Sequence, residues 1–145
     1  MDFFTAMEVS STALTAERTR MNLISSNLAN ANSTRTAEGG PYKRKDAVFT
    51  ADPGKPTFGS TLSRINGGRP DGVKVTQIVE DQSAPRLKFD PRHPDADQSG
   101  YVALPNVNVV EEMADMITAS RAYEANVTAA QAAKSMAMKT LELGR

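Results

Sequence analysis

Asp90, His93, Asp95 and Asp97, within Asp90-Pro-Arg-His-Pro-Asp-Ala-Asp97, are the side chains of this sequence best spaced to hold a metal ion. Oxygen donors two residues apart resemble a calcium loop, but the glycine of the sharp turn and the closing bidentate glutamate are absent. One histidine flanked by prolines falls short of a zinc site. The pattern reads instead as a rigid turn whose aspartates accept hydrogen bonds from nearby backbone N–H groups. Tyr42-Lys-Arg-Lys45 has the charge to meet phosphates. Lysine also guards exposed strand edges, and the run reads as such an edge. Gly67 and Gly68 do not join a strand to a helix, so they form no phosphate loop. His93 has no nucleophile at a recognisable spacing, and Ser10, Ser11, Ser25 and Ser26 read as small spacers on a helix. The chain has no cysteine, which excludes disulfides, thiolate metal sites and cysteine nucleophiles. No catalytic residue, cofactor or metal is expected. A small metal-dependent enzyme or metal-regulated module built on residues 90–97 is the alternative from another function class, and calorimetric titration with calcium or zinc separates it.

The elements that must carry these residues fall into a simple order: helix, β-rich middle, helix. Residues 3–29 and 107–143 both read as long amphipathic helices with little charge. On the first, Phe4, Met7, Ser11, Leu14, Arg18, Met21, Ser25 and Leu28 follow a four-three rhythm, the spacing of a coiled-coil face. A smaller stripe runs through Phe3, Ala6, Ala13, Ala16 and Leu23. The helix is expected to fray near Asn27–Asn32, where turn-forming residues crowd together. On the second, the same rhythm runs through Val109, Met113, Met116, Ser120, Tyr123, Val127, Ala130, Lys134, Ala137 and Leu141. Pro105 bars a helix from starting earlier, and Asn108 with Glu111 makes an approximate capping box. Residues 114–137 hold nine alanines on several faces, so other helices can approach from more than one side. The two helices are expected to pair, with Met7, Leu14 and Met21 facing Met116, Tyr123 and Ala130, and the longer one overhanging.

Between them, Tyr42–Phe49 reads as a strand, and the prolines and glycines of residues 51–72 read as loop or linker. Val73–Glu80 alternates like a half-buried strand. Asp81–Pro85 turns the chain, and Arg86–Phe89 is expected to pair back on it as a hairpin. After the loop 90–100, Tyr101–Leu104 is a last short strand. The fold class expected is α+β: terminal helices paired as a coiled coil around a small hairpin-rich insert. The segments are 1–34, 35–104 and 105–145, the first and last forming one helical domain.

Composition bounds the rest. One domain is expected from 145 residues, and with 39% hydrophobic content and eight aromatic residues its own core is undersized. Lys+Arg and Asp+Glu balance at 17 each, so neither nucleic acid nor an acidic membrane surface is a partner. The start, Met1-Asp-Phe-Phe4, lacks a basic region and a continuous apolar run, so no ordinary secretory signal is read. No stretch reaches the ~18–20 apolar residues that span a bilayer. Taken alone, these features fit a soluble cytosolic chain. Thin seams of Met, Ala and Ser bury little area against the ordering entropy of ~1–2 kcal/mol per residue. Both helices are therefore expected to be weakly ordered in the free monomer and to fold on assembly.

Ser26-Asn-Leu-Ala-Asn-Ala-Asn-Ser-Thr34, closing the first helix, resembles the signature of the bacterial flagellar rod and hook axial proteins. Gly39-Gly-Pro-Tyr-Lys-Arg44 is similar to its proximal-rod members. Phe89–Asp97, Gly100-Tyr-Val, Pro105–Met113 and Ser120–Asn126 together resemble the proximal rod most specifically. The resemblance covers nearly the whole chain, residues 51–70 apart. It implies a structural subunit of the proximal rod, self- and co-assembling into a helical tube that transmits torque, and no enzyme. The implied partners are other proximal- and distal-rod proteins, the membrane-ring or export-gate adaptor at the rod base, and the type III export apparatus. The implied place is the basal body, in a rod spanning the periplasm, reached without cleavage of a signal. Met7, Leu14, Met21, Leu28, Met113, Met116, Tyr123, Val127 and Leu141 are the expected assembly interface. Another rod component of the same family is the nearer alternative.

Overall fold

The computed structural model describes residues 3–52, 62 and 71–143. Its elements, in chain order, are α1 (Phe3–Ala29), β1 (Lys45–Asp52), β2 (Gly72–Glu80), β3 (Arg86–Phe89), β4 (Tyr101–Leu104) and α2 (Val109–Leu143). The α+β architecture and both helix ranges agree with the sequence reading to within two residues. Of the expected linker 51–72, residues 53–61 and 63–70 lie outside the described residues.

The helices pack along each other. Asn27 and Arg20 near the end of α1 meet Glu112 and Asp115 near the start of α2, so the pair is antiparallel. At 1.5 Å per residue, the 27 residues of α1 span about 40 Å and the 35 of α2 about 52 Å. With Arg20 level with Asp115, Phe3 comes level with about Ala132. The last turns of α2, with Met136, Met138, Leu141 and Leu143, overhang and are exposed.

The packed line of α1 runs through Thr5, Ser10, Ala16, Ile24 and Asn27, and that of α2 through Glu112, Ala119 and Ala133. This corrects the expected seam on α1. At ~100° per residue, Leu14 and Met21 lie about 120–140° around the helix from Asn27. Leu14, Met21 and Leu28 are half-buried and Met7 is exposed. The four-three count found the apolar ridge, but the chain packs on smaller and more polar side chains that let the backbones come close. On α2 the expected positions Met116, Tyr123, Val127 and Ala130 do lie on half-buried ground, whereas Met113 and Leu141 are exposed. Asn108 caps α2: its Oδ1 accepts the Val110 N–H at 3.1 Å.

The strands form two separate antiparallel ribbons, β1–β2 and β3–β4. The expected β2–β3 hairpin is not formed. β2 pairs with β1 from Lys45↔Glu80 to Asp52↔Gly72, with a bulge opposite Val48/Phe49. The ladder runs one step further, where the Asp81 N–H donates to the Arg44 carbonyl at 2.8 Å. Asp81 Oδ1 then accepts the N–H and O–H of Ser83, a turn that carries the chain away from β2 before β3 begins. β3 pairs with β4 from Arg86↔Leu104 to Phe89↔Tyr101, and the Phe89 and Tyr101 rings meet edge to face at 5.3 Å. β1 begins three residues later than the expected Tyr42, because Tyr42 and Arg44 are drawn to the helices.

The β1–β2 ribbon lies along α1. Its root at Lys45 is bonded to Asn27, and its far end at Val73 donates an N–H to Thr12 Oγ1 at 3.1 Å. A Cβ at Gly72 would stand 2.9 Å from that same oxygen, so the close approach requires glycine. Fully buried apolar side chains are few and small among the described residues: Ala16, Ile24, Ala31, Val102, Val107, Ala119 and Ala133. The expected thin core is what the fold has.

Candidate functional site

Two of the largest fully buried side chains among the described residues are polar. Asn27 and Glu112 are each 1% exposed and meet where the end of α1, the root of β1 and the start of α2 converge. Asn27 uses every hydrogen-bonding position it has. Its Nδ2 donates to the Lys45 carbonyl at 2.9 Å and to Glu112 Oε2 at 3.0 Å. Its Oδ1 accepts the Lys45 N–H and the Tyr42 hydroxyl, both at 2.9 Å. The other Glu112 oxygen takes the Arg44 Nε–H at 2.6 Å. Arg44 also reaches Asp46 at 3.2 Å and Asp115 at 3.7 Å. Burial alone would lower the Arg44 pKa, but the hydrogen bond and charge of Glu112, with Asp46 beside them, raise it on balance. The cluster has no nucleophile, so its chemistry is that of a bonded joint.

Two sequence readings change here. Asn27 sits inside the helix as a tether and does not fray; the turn comes later, where Asn30 Nδ2 donates to the Ser26 carbonyl at 2.9 Å. Within the basic run, Arg44 departs from the solvated edge expected there, while Lys43 and Lys45 keep to it. Arg44 is claimed by Glu112, Lys45 pairs with Glu80 at 3.3 Å, and Lys43 reaches Gln82 at 3.4 Å. Glu112, Asn27 and Tyr42 went unmarked as a group because they are 15 to 85 residues apart, and no local spacing links them.

The loop 90–97 is the turn that its aspartates and prolines suggested. Asp97 Oδ1 accepts the N–H groups of Ser99 and Tyr101 at 2.8 and 2.9 Å. Asp90 Oδ1 accepts the Arg92 N–H, and His93 Nδ1 accepts the Asp95 N–H. Asp95 Oδ2 takes the Thr34 hydroxyl at 2.8 Å, which ties the loop to the chain after α1. These acceptors are spent on the protein's own N–H and O–H donors and do not converge on a common point. Gly100, with φ of 80°, closes the turn against Phe89.

The remaining expected site residues lie on outer surfaces. On α2, Val110, Met113 and Ile117 share one exposed face, and Met113 is 55% exposed. Leu141, 70% exposed, continues the line of Ala130, Ala133 and Ala137 past the end of α1. Ala114, Ala125, Ala129 and Ala132 are exposed as well, while Ala119 and Ala133 are buried. The alanines therefore serve more than one face, as their distribution suggested.

Known proteins resemble this chain in sequence. Residues 7–35 match the family described as "Flagella basal body rod protein", and residues 98–143 match "Flagellar basal body rod FlgEFG protein C-terminal". The chain is 45% identical to the flagellar basal-body rod protein FlgC of Borreliella burgdorferi, over 99% of this chain and 98% of that one. It is 45% identical to FlgC of Bacillus subtilis and 41% identical to FlgC of Escherichia coli O6:H1, each over the full length of both chains. These relatives are structural rod proteins and not enzymes. The chain belongs to the FlgC family of flagellar basal-body rod proteins.

Proposed function

We propose that this chain is a structural subunit of the basal-body rod, in its proximal part, and that it works by offering apolar faces to neighbours on several sides. The observation that carries this reading is the row of large apolar side chains left exposed on a helix pair whose own core is mostly small. Val110, Met113, Ile117, Met136, Met138, Leu141 and Leu143 all stand in solvent in the single chain. They form two groups, one at the start of α2 and one on its overhanging end, and clustered apolar exposure of this kind marks surfaces that another protein covers. The ridge of Met7, Leu14, Met21 and Leu28 lies to one side of the polar contacts between the helices, and exposed Met7 with the outer flanks of the half-buried three can meet a neighbour. Met116, Tyr123 and Val127 serve the internal seam and keep a flank outward. Oε2 of Glu17 is buried without a hydrogen-bond partner among the described residues, and a neighbouring donor is its natural complement.

A heterologous contact whose rotation does not close on itself gives a helical assembly on repetition. Many small contacts in parallel suit a part that carries torque. The neighbours on this reading are other proximal- and distal-rod subunits, with the membrane-ring or export-gate adaptor at the base. Delivery is by the type III export apparatus into the periplasm. Leu141→Asp tests the reading, because it changes a side chain that touches little in the single chain. Its helix content should match that of the unsubstituted chain while its incorporation into basal bodies is lost. Normal incorporation of that variant would contradict the proposed overhang contact.

A further inference from the structure

The helix seam poses a problem of alignment. With Arg20 beside Asp115, Ala119 on α2 lies level with Ala16 on α1, Ala122 with Ala13 and Ala130 with Thr5. Small side chains of similar size recur at three- and four-residue steps on both sides. Sliding one helix past the other by seven residues, about 10 Å, sets Ala13 level with Ala129 and Ser10 level with Ala132, and Ala16 level with Asn126. The polar joint does not tolerate the slide. In the observed register Asn27 bonds Glu112, and Glu112 bonds Arg44 from a third element. A seven-residue slide brings Asn27 level with Ala119 or Pro105 and leaves the carboxylate of Glu112 buried without its donor.

We propose that the Asn27–Glu112–Arg44 cluster is a register pin: it selects one alignment of the two terminal helices and seats the β1–β2 ribbon only when that alignment is reached. Three observations support this. The partners come from three elements, so the bonds form only when all three are in place. Asn27 has both donors and both acceptors satisfied, so a shifted register forfeits them together. Lys45 is bonded through both its N–H and its carbonyl to Asn27, which fixes the root of the ribbon to the same point. A buried polar residue in a helix seam is a known way to specify helix register, gained at a cost in stability.

The chain has no cysteine, so introduced pairs report cleanly. The Arg20–Asp115 contact places position 16 level with position 119. Ala16→Cys is combined in turn with Ala119→Cys, the aligned pair, and with Asn126→Cys, the pair shifted by seven. The full-length chain is oxidised in an osmolyte that favours the compact state, and the intrachain products are separated on a non-reducing gel. In the otherwise unchanged chain the aligned pair should form the product over the shifted pair by more than about tenfold, corresponding to ~1.4 kcal/mol. The deciding background is Asn27→Leu/Arg44→Leu/Glu112→Leu, which keeps the joint buried while removing its polar pairing. There the helices should still pair, and the two products should come within about threefold of each other, a preference of less than ~0.7 kcal/mol. Two results overturn the proposal. A preference unchanged in the leucine background means that packing alone sets the register. Loss of both products means that the joint holds the helices together and does not choose their alignment.

Discussion

Two asparagines of the same short segment, Asn27 and Asn30, should differ sharply in what they contribute. Asn27→Ala removes four hydrogen bonds at one buried point, those to Tyr42, Glu112 and both backbone groups of Lys45. Glu112, 1% exposed, keeps Arg44 but loses the donor at Oε2. An ionised acceptor left short in a buried place costs about 1–3 kcal/mol, and each neutral hydrogen bond about 0.5–1.5 kcal/mol. The losses overlap, because the Tyr42 hydroxyl keeps a contact with Ser26 at 3.3 Å and Lys45 lies near solvent. A total of about 3 kcal/mol is expected, a large share of the ~5–15 kcal/mol that holds a domain together. Asn30→Ala removes a local bond to the Ser26 carbonyl and one from Ser33, and should cost below about 1 kcal/mol. Urea unfolding followed by far-ultraviolet circular dichroism, in the presence of osmolyte, measures both. A midpoint for Asn27→Ala equal to that of the unsubstituted chain, or an equal loss for the two variants, would refute the assignment of the joint.

Other outcomes follow from single contacts. Gly72→Ala places a Cβ 2.9 Å from Thr12 Oγ1 and should destabilise by about 1–3 kcal/mol in the same assay, while Gly39→Ala meets no neighbouring atom within 4 Å and should cost about 1–2 kcal/mol through its left-handed φ of 86° alone. The Ser83 hydroxyl and N–H hold the Asp81 carboxyl below its ordinary pKa, so its contribution is present above that ordinary value and is lost as pH falls through the lowered one. Ser83→Ala removes the hydroxyl's share, and a carboxyl chemical-shift titration should then show the Asp81 pKa moving up. His93→Ala loses one exposed bond to the Asp95 N–H and should leave swimming on soft agar unchanged.

Much of this fold was legible because periodicity survives in a single sequence. The two helices stand out by their four-three rhythm, Pro105 and Asn108 mark where α2 starts, and the aspartates of the loop 90–97 make the backbone bonds their spacing suggested. Strand pairing was less legible. β2 and β3 are neighbours in sequence and each alternates, but alternation does not name a partner, and the Asp81–Ser83 turn separates them. The face of α1 was misread because large apolar residues were taken to mark the internal seam. In this chain Ala16, Ile24 and Asn27 do the internal packing, while Met7 is exposed and Leu14 and Met21 are half-buried to one side of that line. For an assembling protein, the strongest apolar stripe need not point at its own core. The joint of Asn27, Arg44 and Glu112 left no local signal, since its members lie far apart in sequence.

The central claim is that apolar faces exposed in the single chain are covered by neighbours in the rod. Methionine oxidation tests it with residues the chain already carries. Met113, Met136 and Met138 are 54–63% exposed in the single chain, whereas Met116 is half-buried in the helix seam. Free chain and purified basal bodies are exposed to peroxide for matched times, and sulfoxide is measured at each position by peptide mass spectrometry. Met113, Met136 and Met138 should oxidise readily in the free chain and be strongly protected in basal bodies, with a smaller change at Met116. Equal oxidation of those three methionines in the free chain and in the rod would contradict the account.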